Sequence, residues 1–208
     1  ATPVTEEAAV EKITQKWMEA PLFTDLGKAK VTFNGKEFSE VGRRFEIPPG
    51  KWLENYLGRS ALLFRRNNPG DILDYSKPKE KEVTDTLDAF GSPGETQPFS
   101  FGVFALGNLT DVRVKLNPLQ SGSHVIPSEN IELRTVTCLP QSPLENIGTT
   151  ARIAPELLEK NIPFDLIRGT TQPLYLLVPT PDNQPPGVYS GLVTFTPSGT
   201  PAFSLRLR

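Results

Sequence analysis

The last twenty residues of the chain alternate between apolar and polar side chains, and this alternation is the strongest constraint on the fold. One set of alternate positions is apolar or small: Tyr189, Gly191, Val193, Phe195 and, after a turn rich in Pro and Gly, Phe203, Leu205 and Leu207. The positions between them are mostly polar: Ser190, Thr194, Thr196, Ser204, Arg206 and Arg208, with Leu192 as the exception. Successive side chains of a strand point to opposite faces, so the pattern predicts two antiparallel strands with one buried face each.

A nearly continuous apolar run, Leu174–Val178, precedes these two strands. Between the run and Tyr189 lies a turn rich in Pro, Asp, Asn and Gly, the residues that favour chain reversal. We therefore expect residues 173–208 to form a three-strand antiparallel meander.

Similar strand-like segments continue upstream, and we expect about seven strands between Val83 and Arg208. The 21 prolines among 208 residues are about twice the usual share, and they favour short strands over helices. We predict an all-β fold, an immunoglobulin-like or jelly-roll antiparallel β-sandwich with one N-terminal amphipathic helix. Ala154–Leu158 is expected to be a loop with a helical turn.

The first eighty residues show different signals. Thr5–Ala20 is predicted to be the helix, because Thr5 can cap its start and Pro21 ends it. Its apolar residues fall on one face at helical spacing: Val10, Ile13, Trp17 and Ala20. Lys28–Val41 predicts a hairpin around the turn Asn34-Gly35.

A charged run, Lys77–Glu82, separates these signals from the regular strands. Such a run is typical of a solvated connector. We therefore expect residues 1–80 to be a helix and hairpin region that packs on or beside the sandwich, and residues 81–208 to be the sandwich itself.

The charge of the chain argues against some partners. With 22 basic and 24 acidic residues the net charge is −2, whereas nucleic-acid binding needs a concentrated basic surface. The close basic pair Arg65-Arg66 is interpreted as a solvated strand end. No run of 18 apolar residues occurs, so no membrane span is expected.

The residues that carry chemistry are few. One Cys, Cys138, and one His, His124, do not provide an ordinary zinc site or a thiol or serine nucleophile with its base. Acidic pairs such as Asp85 with Asp88, or Glu156 with Glu159, lie on predicted polar strand faces or loops. We expect no catalytic residue, no metal site and no cofactor in this chain.

Three stretches resemble a known family over about residues 84–208. Leu87–Phe101 has a Gly-Glu turn that leads into a long apolar strand, and Leu109–Val114 is the short strand that follows. Thr171–Pro179 followed by Pro185–Phe195 is the most specific, a Gln-Pro apolar strand and then a P-x-G-x-Y-x-G hairpin. These stretches are similar to the N-terminal β-sandwich domain of bacterial proteins related to glycoside hydrolase family 123.

The hairpin residues also have physical roles that do not depend on the resemblance. Gly187 is expected to adopt a left-handed turn before the strand. Gly191 is expected to allow a close approach by another backbone or a large side chain. Tyr189 can bury its ring while its hydroxyl group keeps a hydrogen bond.

The resemblance implies a function. In such relatives the sandwich precedes a (β/α)-barrel domain that holds the catalytic carboxylates, and the present sequence has no such barrel. We expect a non-catalytic accessory domain of an exported bacterial glycoside hydrolase-like protein, secreted or located in the periplasm or cell envelope. Its expected partners are a downstream catalytic domain of the same polypeptide and a polysaccharide, and the chain itself is not expected to be an enzyme.

Two alternatives remain open. The chain could be a stand-alone carbohydrate-binding module, with Trp52, Tyr56 or Tyr75 as the surface on which a sugar stacks. It could also be an adhesion or assembly spacer without a ligand. An exposed coplanar aromatic pair would favour the binding module, and a broad apolar patch at the Arg208 end would favour the accessory domain.

Overall fold

The computed structural model describes residues 31–33, 36–38, 50–66, 72–141 and 152–208. The predicted helix Thr5–Ala20 lies outside these residues. Short 3-10 helices are formed by Lys51–Tyr56, Glu80–Glu82 and Ser128–Asn130. The strands are β1 (Val31–Phe33), β2 (Lys36–Phe38), β3 (Ala61–Arg65), β4 (Thr86–Leu87), β5 (Thr96–Ala105), β6 (Leu109–Leu116), β7 (Leu119–Ser121), β8 (His124–Ile126), β9 (Glu132–Gln141), β10 (Arg152–Lys160), β11 (Phe164–Leu166), β12 (Thr171–Pro179), β13 (Gly191–Thr196) and β14 (Phe203–Leu207).

Two five-stranded sheets form the body of the described chain. The first sheet has the order β10-β9-β12-β5-β3, and the second has the order β11-β6-β13-β14-β4. Neighbouring strands in both sheets are antiparallel, except that β14 and β4 are parallel. The prediction of an all-β fold built from antiparallel sheets is confirmed.

The two sheets face each other across one hydrophobic core, which we call the main core. Phe101 of the first sheet and Phe195 of the second are both fully buried, and their ring centroids lie 6.3 Å apart at an interplanar angle of 80°. Phe203 stacks on Phe195 with ring centroids 5.0 Å apart. Burying one such ring contributes about 1.5–3 kcal/mol to stability, so this trio is a central element of the sandwich.

The expected three-strand meander is wrong in one respect. β13 and β14 pair as predicted, from Gly191 with Leu207 to Phe195 with Phe203. β12, however, belongs to the first sheet, where it lies between β5 and β9. The long turn after Pro179 carries the chain from one sheet to the other, and the continuous apolar run of β12 reflects its central position in a sheet.

Ala154–Leu158 is a strand and not the expected loop with a helical turn. It forms most of β10, the edge strand of the first sheet, and pairs with β9. The register shifts between Pro155 and Leu157, which is a β-bulge. Proline is tolerated at an edge strand or a bulge because no ladder hydrogen bond is lost there.

The predicted N-terminal hairpin is present as the pair β1 and β2. Val31 is opposite Phe38 and Phe33 is opposite Lys36. Antiparallel pairing of this kind is what a hairpin requires, and the predicted turn residues Asn34 and Gly35 lie outside the described residues.

A second, smaller core covers the outer face of the first sheet at its β3 edge, and we call it the side core. It consists of the buried residues Leu62, Phe64, Ile72 and Phe104. Half-buried apolar side chains surround it: Trp52, Leu53, Tyr56, Val83 and Leu106. Gly102 allows this packing, because a Cβ atom there would overlap the ring of Phe64.

The first sheet therefore includes a strand from the region that the sequence analysis places before the sandwich. β3 pairs with β5 from Ala61 opposite Ala105 to Arg65 opposite Phe101. The chain then crosses to the second sheet, where Arg206 N donates to the carbonyl group of Asp85 at 2.8 Å. Residues 83–87 thus close one edge of the sandwich.

The interpretation of Arg65-Arg66 as a solvated strand end is wrong for Arg66. Its side chain is 21% exposed and pairs with Glu82 at 3.5 Å. It also donates to Ser76 Oγ at 3.1 Å and to the carbonyl group of Lys77 at 2.9 Å. The charged run that begins at Lys77 is therefore fastened to the end of β3.

Candidate functional site

The aromatic residues predicted as a sugar platform are next to each other but are not coplanar. Trp52 and Tyr56 lie on the 3-10 helix Lys51–Tyr56, with ring centroids 5.9 Å apart and an interplanar angle of 81°. Both rings are half-buried against the side core. Tyr75 is half-buried as well. The edge-to-face pair supports the side core and lacks the coplanar arrangement taken above as the mark of a binding module.

One cation lies beside this aromatic pair. The guanidinium carbon of Arg59 lies 5.2 Å from the centroid of the Tyr56 ring. Its Nη1 and Nη2 donate to the carboxylate of Asp85 at 2.9 and 3.1 Å. The hydrogen bond to Asp85 raises the pKa of Arg59 above its ordinary value, so the guanidinium is charged at neutral pH and is engaged by its neighbours.

Asp85, Asp88 and Glu159, three of the acidic residues named from the sequence, accept hydrogen bonds from other side chains. Asp85 accepts from Arg59, and Asp88 accepts from Arg208 Nε at 2.8 Å. Glu159 accepts a hydrogen bond from Thr137, and Glu156 is exposed at the bulge of β10. Within the described ranges, no cluster of three His, Cys, Asp or Glu side chains is suitable for a metal ion.

The loop and strand of the P-x-G-x-Y-x-G motif are tightly packed. The hydroxyl group of Tyr189 donates to the carbonyl group of Pro185 at 2.8 Å, while its ring packs against the main core. A Cβ atom at Gly191 would lie 2.7 Å from both the Leu119 side chain and the carbonyl oxygen of Pro118. The predictions for Tyr189 and Gly191 are therefore confirmed, and both roles are structural.

The prediction for Gly187 is wrong. This residue is not among the described glycines with positive φ. A Cβ atom there would instead lie 2.5 Å from Ser121 Oγ. Glycine is thus required by the close approach of β7 and not by a left-handed backbone.

A hydrogen-bonded loop at the Arg208 end presents one large aromatic side chain, and sequence reasoning gave this residue no role. The loop consists of residues 88–95, and we call it the Phe90 loop. Phe90 is 89% exposed. The only sequence signal for an exposed ring here is a phenylalanine that precedes a turn, in Asp88-Ala89-Phe90-Gly91.

Both ends of the Phe90 loop are fixed by hydrogen bonds. At its start, Ala89 N donates to the carbonyl group of Arg208 at 3.0 Å, and Arg208 N donates to that of Leu87 at 2.9 Å. At its end, Gly94 N donates to the carbonyl group of Thr180 at 2.9 Å, and Thr180 N donates to that of Glu95 at 2.8 Å. The loop is therefore anchored to both sheets, through β14 and the end of β12.

A sequence profile described as the glycoside hydrolase 123 N-terminal domain matches residues 73–197, which is more than half of the chain. The matched range contains every stretch on which the resemblance was based, the last of which ends at residue 195. It begins a few residues before the start of the predicted sandwich.

Solved structures also resemble this fold. A family 123 glycoside hydrolase from Clostridium perfringens, studied for glycolipid glycan hydrolysis, has a TM-score of 0.56 at 13% identity. The similarity covers 62% of this chain and 23% of that one, so the chain spans about a quarter of the enzyme's length. A second structure is AvmM, which catalyses macrocyclization in alchivemycin A biosynthesis. The alignment covers 86% of this chain and 95% of AvmM at 13% identity, and its TM-score of 0.35 is too low to indicate a shared fold.

No curated protein matches the sequence significantly. In the described part of the chain, no helix has both the length and the apolar character needed to cross a membrane.

Proposed function

Because the chain belongs to the glycoside hydrolase 123 N-terminal domain family, we propose that it is a non-catalytic module of a larger bacterial glycoside hydrolase. In this role the sandwich supports and orients a catalytic domain elsewhere in the same polypeptide. The protein acts outside the cytoplasm, in the cell envelope or after secretion. The observation that carries the proposal is the family match together with the fold similarity to one quarter of a family 123 enzyme.

The arrangement of the acidic residues supports the non-catalytic part of this proposal. In most glycoside hydrolase families the reaction uses two carboxyl groups that face each other about 5–10 Å apart across a cleft. Asp85 and Asp88 instead form exposed ion pairs, with Arg59 and Arg208 respectively.

The proposal is tested by comparing the 208-residue chain with the polypeptide encoded by its complete reading frame. Both are incubated with glycolipid glycans, the substrate class of the similar Clostridium perfringens enzyme, and the released sugar is measured. We expect hydrolysis by the complete polypeptide alone. Hydrolysis by the 208-residue chain, or a complete polypeptide without a hydrolase domain, would contradict the proposal.

A second candidate function is glycan binding at Trp52, Tyr56 and Tyr75. One observation favours it: the half-exposed rings of Trp52 and Tyr56 are adjacent, and the guanidinium group of Arg59 lies beside the Tyr56 ring. Binding to a glycan array that is lost in Trp52→Ala and kept in Leu57→Ala would support it. Leu57 is a suitable control because it is adjacent in sequence and 82% exposed. Absence of binding to every glycan would reject this function.

A further inference from the structure

We propose that the Phe90 loop is the contact through which this module docks on the catalytic domain of its own polypeptide. The inference rests on the proposed function and adds to it the surface that makes the contact. It is carried by three properties of the loop: its exposed aromatic ring, its fixed backbone and its position beside Arg208.

The exposed ring provides the anchor. Phe90 is 89% exposed, and the residues around it from Asp88 to Glu95 are exposed as well. A single exposed apolar side chain is common on protein surfaces, so exposure alone does not identify a contact. Aromatic side chains that enter a pocket on a partner are, however, the usual centres of protein interfaces.

The fixed backbone distinguishes Phe90 from other exposed apolar residues. Ser92 N donates to Glu95 Oε2 at 2.8 Å, and Glu95 N returns a bond to the carbonyl group of Ser92 at 3.1 Å. With the bonds to Arg208 and Thr180 described above, the loop is held on both sides of the ring. A preorganised loop loses little conformational entropy on binding, which favours its use as a docking element.

Charged groups are bonded to one another at the start of the loop, two residues before Phe90. Asp88 pairs with Arg208 at 2.8 Å, and Arg65 Nη1 lies 3.4 Å from the carbonyl oxygen of Asp88. An apolar centre with a polar, solvent-accessible rim is the usual composition of a protein–protein interface.

The position of Arg208 indicates which partner would use this contact. The backbone of Arg208 is bonded to Leu87 and Ala89 on β4 and its extension. Any residues that follow Arg208 in a longer polypeptide must therefore leave the sandwich next to Phe90. One phenylalanine is too small an anchor for a stable complex between separate molecules, but a covalent link within one polypeptide supplies a high effective concentration. A domain tethered at this end therefore fits the loop better than a second copy or a free partner.

The test uses the complete polypeptide with Phe90→Ser and, as a matched control, Leu57→Ser. Both side chains are more than four-fifths exposed, so neither change should shift the urea unfolding midpoint of the 208-residue chain. Limited proteolysis after residue 208 reports how often the two domains separate. We expect Phe90→Ser to accelerate this cleavage about tenfold, the effect of removing one interface anchor, and Leu57→Ser to leave the rate unchanged.

The outcomes separate this inference from the function on which it rests. If the complete polypeptide hydrolyses glycans but Phe90→Ser is cleaved at the wild-type rate, the docking contact is wrong and the proposed function stands. If both variants accelerate cleavage equally, the effect is not specific to the loop and the inference is also wrong. A complete polypeptide without a hydrolase domain would overturn both proposals.

Discussion

The main core and the side core are built in different ways although they share strand β5. Phe101, Val103 and Ala105 of β5 point into the main core, where the second sheet covers them. Phe104, from the opposite face, points into the side core, where a 3-10 helix and irregular segments cover it. From Phe101 to Ala105 every residue of β5 is buried.

The two cores differ in what covers strand β5: a regular sheet covers the main core, and a short helix with irregular segments covers the side core. The two kinds of cover place different demands on the sequence. The main core is filled by strands whose alternation is visible in the sequence. The side core depends on single close contacts, such as the Phe64 ring over Gly102 and the Arg66 side chain over residues 76–82. We expect the main core to determine global stability and the side core to determine the order of residues 50–57 and 72–83.

The largest effect is expected from removing an aromatic ring from the main core. Phe101→Ala removes a fully buried side chain that contacts Phe195, and should lower the free energy of unfolding by about 3–5 kcal/mol. Phe104→Ala is the matched change, because it removes an equally buried ring from the same strand. Urea unfolding should show a smaller loss for Phe104→Ala, and an equal or larger loss would refute the ranking of the two cores.

A smaller effect is expected at the contact between the side core and the sheet. Gly102→Ala places a methyl group against the Phe64 ring and within 3.0 Å of Thr171 Cγ2, and should destabilise the protein by about 1–3 kcal/mol. The double variant Gly102→Ala with Phe64→Leu should be destabilised by less than the sum of the two single changes, since the smaller side chain leaves room. Additive losses in the thermodynamic cycle would show that this overlap does not decide the packing.

The smallest effect is expected from two neighbouring arginines. Arg66→Ala removes partly buried bonds to Ser76 and Lys77, and should cost about 1–2 kcal/mol. Arg65→Ala removes an exposed side chain, and should change stability by less than about 0.5 kcal/mol. Hydrogen exchange should show faster exchange in residues 72–83 for Arg66→Ala alone. Equal protection in both variants would mean that Arg66 does not fasten this segment.

The comparison also explains how much of the fold was predictable. β13 and β14 were predicted with their buried faces, because alternation and turn residues are local signals. β12 was recognised as a strand and placed in the wrong sheet, because its partners, β5 and β9, are remote in sequence. β10 was missed because proline is disfavoured within a regular strand. The bulge that accommodates Pro155 cannot be recognised from the local sequence.

The candidate site was less predictable than the fold. Trp52 and Tyr56 were named from the sequence as aromatic candidates, but the angle between their rings is set by the side core beneath them, which local sequence does not reveal. The Phe90 loop has no periodicity to reveal it. Its fixed shape depends on Arg208 and Thr180, which lie more than eighty residues away in the sequence.

The parallel pairing of β14 with β4 has a consequence for how the chain assembles as it is made. Arg206 and Leu207 pair with Thr86 and Leu87, so one edge of the second sheet joins segments separated by 120 residues. During synthesis, β4 emerges from the ribosome long before β14, and contacts of such long range form slowly. The nascent sandwich must therefore keep its β4 edge unpaired until residue 207 has left the exit tunnel, a period in which chaperones or aggregation compete for that edge.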